Sequence, residues 1–251
     1  MKTSVTVFSS LLAFAGISHA QTTFTDDFNR ANVAPTTNGT NIGPNWVIGD
    51  TSSGTNTPEW ELINDQIRVN DTVANVVGNS VMWNTTVSLL EGDFTVSSTM
   101  TSITNPRQGG IAFFVQDADS FLTFDIQENS NGWKVRQFDN GTETLVTSGS
   151  SSGTIDLSTS DYTLTVASTA ADNFDLTIVE EATSTTVVST SFTDSSLAFN
   201  SGFAGLYHDN PTGQWTWDDI SVSSPIPEPS AFALLLGASG VLVALGRRVR
   251  R

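Results

Sequence analysis

The residues with the clearest chemistry lie in one short stretch, Trp215-Thr-Trp-Asp-Asp-Ile-Ser-Val222. Extended backbone sends successive side chains to opposite faces. Thr216, Asp218, Ile220 and Val222 then share one face, and Trp215, Trp217, Asp219 and Ser221 the other. Ile220 and Val222 are the natural core residues, which leaves both indoles facing outward. An exposed indole stacks on the apolar C–H face of a sugar ring, and flanking acids and amides bond the hydroxyls. Trp215, Trp217 and Asp219 are therefore candidate carbohydrate-binding residues. The alternative is a bulge at Asp218-Asp219, which would reverse the register and bury the rings. Trp133, with Lys134 and Arg136 on the opposite face of its strand, reads as core.

Acids offer a second chemistry. Asp26 and Asp27 stand near the start of the chain's middle, and Asp218 and Asp219 near its end. If the first and last strands pair, the four converge. Clustered carboxylates with backbone carbonyls suit Ca²⁺, which takes six to eight oxygens. A structural calcium ion on Asp26, Asp27, Asp218 and Asp219 is the one cofactor expected, with Asp117 and Asp119 as a second candidate pair. Turn chemistry and solvated acids are the simpler account of both, and no spacing matches an EF-hand loop.

Covalent chemistry finds less support. The chain has no cysteine, which excludes thiolate zinc sites and cysteine nucleophiles. A serine triad would need His208, and no Gly-x-Ser-x-Gly elbow supports one. Retaining glycosidases need two carboxylates about 5–5.5 Å apart. Glu59-Trp60-Glu61 is the nearest pair, but the Glu-x-Asp-x-x-Glu string of laminarinase-like sandwich enzymes is absent. Glu180 and Glu181 are adjacent and point to opposite faces. A lyase could take its base from Tyr207-His208, but only five basic residues stand in residues 21–224, and so acidic a domain suits a uronate polymer poorly. The chain reads as non-catalytic, with a glycoside hydrolase or lyase of unfamiliar site as the alternative.

Residues 21–224 carry five basic and 25 acidic side chains, a net charge of −20. Such a surface repels nucleic acid and anionic polymers. Without disulfides, stability must come from core burial, with or without a bound ion.

Nearly every segment that could position these residues reads as strand. Leu122, Phe124 and Ile126 alternate with Thr123, Asp125 and Gln127. Tyr162, Leu164 and Val166 alternate with threonines, and Phe174, Leu176 and Ile178 with Asp175 and Thr177. Period two marks antiparallel sheet with one buried face. Turn signals separate the runs at Asp117-Ala-Asp-Ser120, Asn131-Gly132, Asn140-Gly141 and Asn200-Ser-Gly202. About 13 strands in 204 residues predict an all-β, two-sheet antiparallel jelly-roll sandwich. The order Phe24-Thr-Asp-Asp-Phe28, Asn45-Trp-Val47, Trp60-Glu-Leu62, Gly92-Asp-Phe94, Gly109-Gly-Ile-Ala-Phe-Phe114, Gly202-Phe-Ala-Gly-Leu206 and Trp217-Asp-Asp-Ile220 resembles concanavalin A-like, laminin G-like bacterial sandwich domains. That fold hosts lectins, glycan-binding modules, glycosidases, lyases and adhesion domains, so it does not choose a function.

The two ends read as sorting segments. Lys2, the apolar run Val5 to Ile17 and Ser18-His-Ala20 form a signal-peptide pattern, with a mature start at Gln21. At the other end, residues 225–251, Ala231 to Leu245 are apolar, and Arg247, Arg248, Arg250 and Arg251 follow. About 15 residues span roughly 22 Å as helix, marginal for a bilayer core of about 30 Å. An ordinary membrane anchor fits these features as well. Pro227-Glu228-Pro229 directly before the span resembles the PEP-CTERM sorting signal of bacterial exported proteins. The resemblance implies recognition by an exosortase-type membrane enzyme, removal of the tail, and delivery to the cell surface or extracellular matrix. The membrane would be met only through the tail, before processing. Together these features predict a surface-sorted sandwich that binds or organises extracellular polysaccharide. A structural matrix or adhesion protein without a glycan site is the alternative.

Overall fold

Alternating apolar and polar residues dominate the chain, and the described residues of the computed structural model form 16 strands and one short helix. Those residues are 21–50, 59–70, 79–101, 108–127, 131–209 and 216–225. The signal segment, Trp215 and the Pro227-Glu228-Pro229 tail lie outside them. Among the described residues no helix is long and apolar enough to cross a membrane. The helix, α1 (Gly39–Ile42), is capped by Asn38, whose side chain accepts from the Thr40 amide.

The strands build two antiparallel sheets, the sandwich expected from the sequence. The larger runs in the order β14 (Thr185–Thr193), β13 (Asn173–Glu180), β12 (Tyr162–Ala170), β7 (Phe94–Thr101), β16 (Thr216–Pro225), β5 (Gln66–Asn70), β4 (Glu59–Ile63) and β2 (Val33–Thr36). β1 (Gln21–Asp26) also pairs with β16, so the first and last described strands are neighbours, with Asp26 opposite Ile220. The smaller sheet runs β11 (Thr142–Ser150), β10 (Gly132–Asp139), β9 (Ser120–Gln127), β8 (Gln108–Asp117), β15 (Ser201–Asp209), β6 (Asn79–Leu90) and β3 (Trp46–Asp50). The strands beyond the expected 13 include short ones. A strand of four or five residues, such as β2 or β4, holds too few alternations to stand out.

Turn chemistry fixes the hairpins. Asn140 and Gly141 have φ of 48° and 77°, the double left-handed turn that joins two strands with matching twist. Asn64 and Asp65, at 52° and 62°, do the same between β4 and β5.

The inner faces of both sheets meet in one core. Leu122, Phe124 and Ile126 from β9 face Leu164, Val166, Leu176 and Ile178, all fully buried. Each such side chain contributes about 1.5–3 kcal/mol relative to exposure, which explains how the domain holds without disulfides. In β8 the alternation slips: Phe113 and Phe114 are both in the core, and Phe114 has a φ of 53°. Ala112 and Val115 on either side point to the opposite face, where they join a second apolar cluster.

A charged cluster on the outer face of the seven-stranded sheet

The outer face of the smaller sheet is where the structure departs most from the sequence reading. Thr123 and Asp125 alternate with core residues and should meet solvent, yet both are 0% exposed. Arg136, opposite Thr123 on the neighbouring strand, is 3% exposed. Five adjacent strands supply the cluster: Glu143 from β11, Arg136 from β10, Asp125 from β9, Gln108 from β8, and Tyr207 with Asp209 from β15.

Arg136 is its hub. Its Nε donates to Asp125 Oδ2 at 2.9 Å. Its Nη1 donates to Asp209 Oδ2 at 2.9 Å and to Glu143 Oε1 at 3.3 Å. Asp125 accepts further bonds from Gln108 Nε2 at 2.7 Å and the Thr123 hydroxyl at 2.9 Å. Full burial pushes the Asp125 carboxyl up from its usual range. The Arg136 charge and the donors on its oxygens oppose that shift. Burial likewise opposes the Arg136 charge, but the charges of Asp125 and Asp209 more than offset it, so the guanidinium holds its proton more tightly than usual.

Aromatic rings form the wall beside it. Phe121 and Phe138 stack at 4.7 Å between centroids, and Tyr207 lies 5.8 and 5.7 Å from them. The guanidinium carbon sits 5.1 Å from the Tyr207 ring centroid and 5.7 Å from that of Phe138. Between the Arg136 and Tyr207 strands stands Gly110, paired with Asp125 on one side and Tyr207 on the other. A Cβ there would collide with the Phe124 carbonyl oxygen. The missing side chain lets β8 and β9 lie close together at this point.

Two buried polar atoms of this cluster have no partner among the described residues: Arg136 Nη2 and the Tyr207 hydroxyl. Burial, with the acids around it, raises the Tyr207 pKa well above its usual value despite Arg136, so the hydroxyl stays protonated and can donate. The cluster thus offers a guanidinium edge and a phenol as spare donors. Asp209 and Glu143, with side chains 22% and 47% exposed, stand as acceptors at its rim. The sequence named Tyr207 and Arg136 but not their meeting.

The residues expected to bind sugar are arranged otherwise. Trp217 is 0% exposed and packs 5.4 Å from Trp60 in the core. The register explains this correction. Trp217 pairs with Met100 and Ile220 with Ser98, so three residues of β16 advance against two of β7. The extra residue is a bulge at Asp218-Asp219. It puts Trp217 on the same face as Ile220 and Val222. Asp219 is exposed, but without the Trp217 ring beside it as a platform. Trp215 lies outside the described residues. Trp133 is buried in the core at 7% exposure.

The proposed calcium ligands do not assemble. Asp26 Oδ1 accepts from the Phe28 amide and Arg30 Nη1, and Oδ2 from Arg30 Nη2 and Trp46 Nε1. Four donors fill the carboxylate, which therefore does not fit a metal. Asp27 accepts from the Asn29 amide, and Asp117 from the Asp119 amide, as turn residues do. Among the described residues no group of three or more potential ligands could hold a metal ion. Burial raises the Asp218 carboxyl, and the charges of Asp219, Asp161, Asp27 and Asp65 add to the rise. Glu61 of the nearest carboxylate pair is held by Arg68.

Asp26 carries a pH prediction. Burial opposes its ionisation, but the bonds from Arg30, Trp46 and Phe28, with the Arg30 charge, win and hold its carboxyl below the usual value. A lowered native pKa gives stability that is complete above the unfolded value near 3.9 and is lost as pH falls through the native one. Asp26→Asn should lower the melting temperature at pH 7, on the order of 1–3 kcal/mol for charged hydrogen bonds. Melts from pH 7 to 2.5 should show the gap between wild type and variant closing only below about pH 4.

A concavity of about 720 Å³ opens away from the Arg136 cluster, between the edge strands β11 and β14. Trp133 forms part of it, most of its lining is serine and threonine, and no ionisable side chain lines it.

No family model matches the chain, and no curated protein matches it. Solved structures do. The CBM2 module of the evolved Dit of Lactobacillus casei BL23 phage J-1 is 11% identical, with 83% of this chain and 98% of that one covered and a TM-score of 0.54. The VIP36 exoplasmic/lumenal domain in its Ca²⁺/Man3GlcNAc-bound form is 11% identical over 74% of this chain and 86% of that one, with a TM-score of 0.50. Carbohydrate binding module CBM66 from Bacillus subtilis is 18% identical over 72% and 92%, with a TM-score of 0.48. At these identities the likeness is one of fold alone, a two-sheet antiparallel β-sandwich.

Proposed function

We propose that this chain is an exported, surface-sorted sandwich that binds extracellular polysaccharide by non-covalent contact and performs no chemistry of its own. The observation that carries the reading is the pair of unpartnered, buried donors on Arg136 and Tyr207, set beside rim carboxylates. Buried polar groups are nearly always satisfied, so exceptions point to a missing partner. Support also comes from the fold, which serves a carbohydrate-binding module in the phage Dit and a sugar-bound domain in VIP36. Export rests on the signal-peptide pattern, and sorting by an exosortase-type enzyme on Pro227-Glu228-Pro229 before the apolar span. Calcium is left outside the mechanism, because Asp26 is already saturated.

The test is affinity electrophoresis of the purified chain through gels holding single polysaccharides. Retardation by at least one of them is expected, and migration unchanged in all of them overturns the reading. The sorting half is tested by mass spectrometry of the cell-surface form, which should lack the segment after about Pro229. Recovery of an intact Arg251 peptide from most of that material overturns it.

One observation favours a purely structural role instead: the uncharged, hydroxyl-rich edge strand β14. Unguarded edges add strands from other chains. Concentration-dependent self-association without any glycan retardation would support that role.

A further inference from the structure

We infer that the ligand of the Arg136 cluster is an uncharged sugar unit presenting neighbouring hydroxyls, recognised through hydroxyl geometry and not through ring stacking. The inference rests on the glycan-binding reading and narrows it.

The donor count comes first. A guanidinium has five N–H groups in a planar fork. Nε is used by Asp125, and Nη1 by Asp209 and Glu143. Among the described residues Nη2 has no partner, and neither has the Tyr207 hydroxyl, which lies on the ring under the same guanidinium. The free valences of the cluster are therefore donors inside and acceptors at the rim. A sugar hydroxyl serves both, because one oxygen accepts while its proton donates. Two neighbouring hydroxyls can take the Nη2 edge and the phenol while giving protons to Asp209 and Glu143.

Charge excludes the obvious competitor. A carboxylate or sulfate would match the guanidinium fork in shape. Here one cation already faces Asp125, Asp209 and Glu143. An acidic sugar would bring a fourth negative charge into a domain that carries −20.

Both donor atoms are buried, so a sugar hydroxyl reaches them only when a rim side chain moves aside, and Glu143 is the side chain placed to do so. Its contact with Arg136, at 3.3 Å, is the longest of the three, and its side chain is the most exposed at 47%. It is the carboxylate that yields room to a hydroxyl first. Stacking is not on offer, since the guanidinium already lies against both Tyr207 and Phe138.

The experiment compares the purified chain with Tyr207→Phe, Glu143→Gln and Arg136→Lys. Affinity gels hold a neutral set (laminarin, mannan, xyloglucan, levan) or an acidic set (polygalacturonate, alginate) at equal ionic strength. Melting curves are recorded for every variant. The expected result is retardation by a neutral polymer and at least 10-fold less by either acidic one. Tyr207→Phe should weaken the neutral interaction 10-fold or more with an unchanged or raised melting temperature, because the hydroxyl it removes has no partner among the described residues. A purely structural tyrosine would leave binding untouched. Glu143→Gln should weaken binding several-fold. It is the safeguard should Arg136→Lys fail to fold. Neutral binding that survives both Tyr207→Phe and Glu143→Gln within two-fold overturns the site, and a preference for polygalacturonate or alginate overturns the ligand class. If no polymer of either set binds, the broader glycan reading falls and this inference with it.

Discussion

Trp217→Ala is expected to destabilise the domain by about 3–5 kcal/mol, the usual cost of emptying a buried aromatic site, while its folded fraction keeps full affinity for any glycan. The ring is 0% exposed and lies 5.4 Å from Trp60, so truncation leaves a cavity that the two sheets cannot close. The indole nitrogen adds a discriminating detail. Trp217 Nε1 is buried without a partner among the described residues. Trp217→Phe removes that unpaired donor and keeps much of the ring volume, so it should cost well under half as much. Urea unfolding of the two variants, beside affinity gels, checks both statements. A large loss of binding with an unchanged midpoint would return Trp217 to the surface and would mean that the bulge at Asp218-Asp219 is misplaced.

The second large effect concerns the buried ion pair. Arg136→Leu should cost about 3–5 kcal/mol, because it strands a carboxylate in the interior. Asp125 is 0% exposed and would keep only Gln108 and Thr123 as donors. Asp209 and Glu143 are partly exposed and would turn to water, so the penalty centres on Asp125. Asp125→Leu in the same chain should recover most of the loss, since apolar replacement of a whole buried pair is often neutral or better. The double variant should then melt near wild type yet bind no glycan. A double-mutant cycle in denaturant reads the coupling directly. If the single and double variants are equally unstable, Arg136 contributes through packing on Phe138 and Tyr207 and not through charge.

Much of the architecture is legible in the sequence. Alternation marked Leu122, Phe124 and Ile126 as one face, and all three are in the core. Asn140-Gly141 marked a hairpin turn, and both residues have the positive φ that it needs. Acids at both ends of the domain suggested adjacent first and last strands, and β1 pairs with β16.

Three features depended on the assembled sheets. The bulge in β16 moves the phase of the strand by one residue, and either phase is compatible with Trp217-Asp-Asp-Ile220 taken alone. Only pairing with β7 selects the phase that buries Trp217. The Asp26 carboxylate looked available for calcium until the fold brought Trp46, 20 residues away, against it. The Arg136 cluster is the clearest case. Alternation correctly placed Thr123, Asp125 and Arg136 off the core face, but period two says only which residues share a face. It cannot say whether that face is wet, or what stands on the next strand. Arg136 meets Asp209 across 73 residues of sequence. Strand order brings the two together, and strand order comes from the packing of the whole sandwich. Residue pattern is therefore enough for an all-β chain, its core faces and its turns. The tertiary structure alone decided which polar residues are buried together, because burial and partnership are properties of neighbouring strands and not of one strand's pattern.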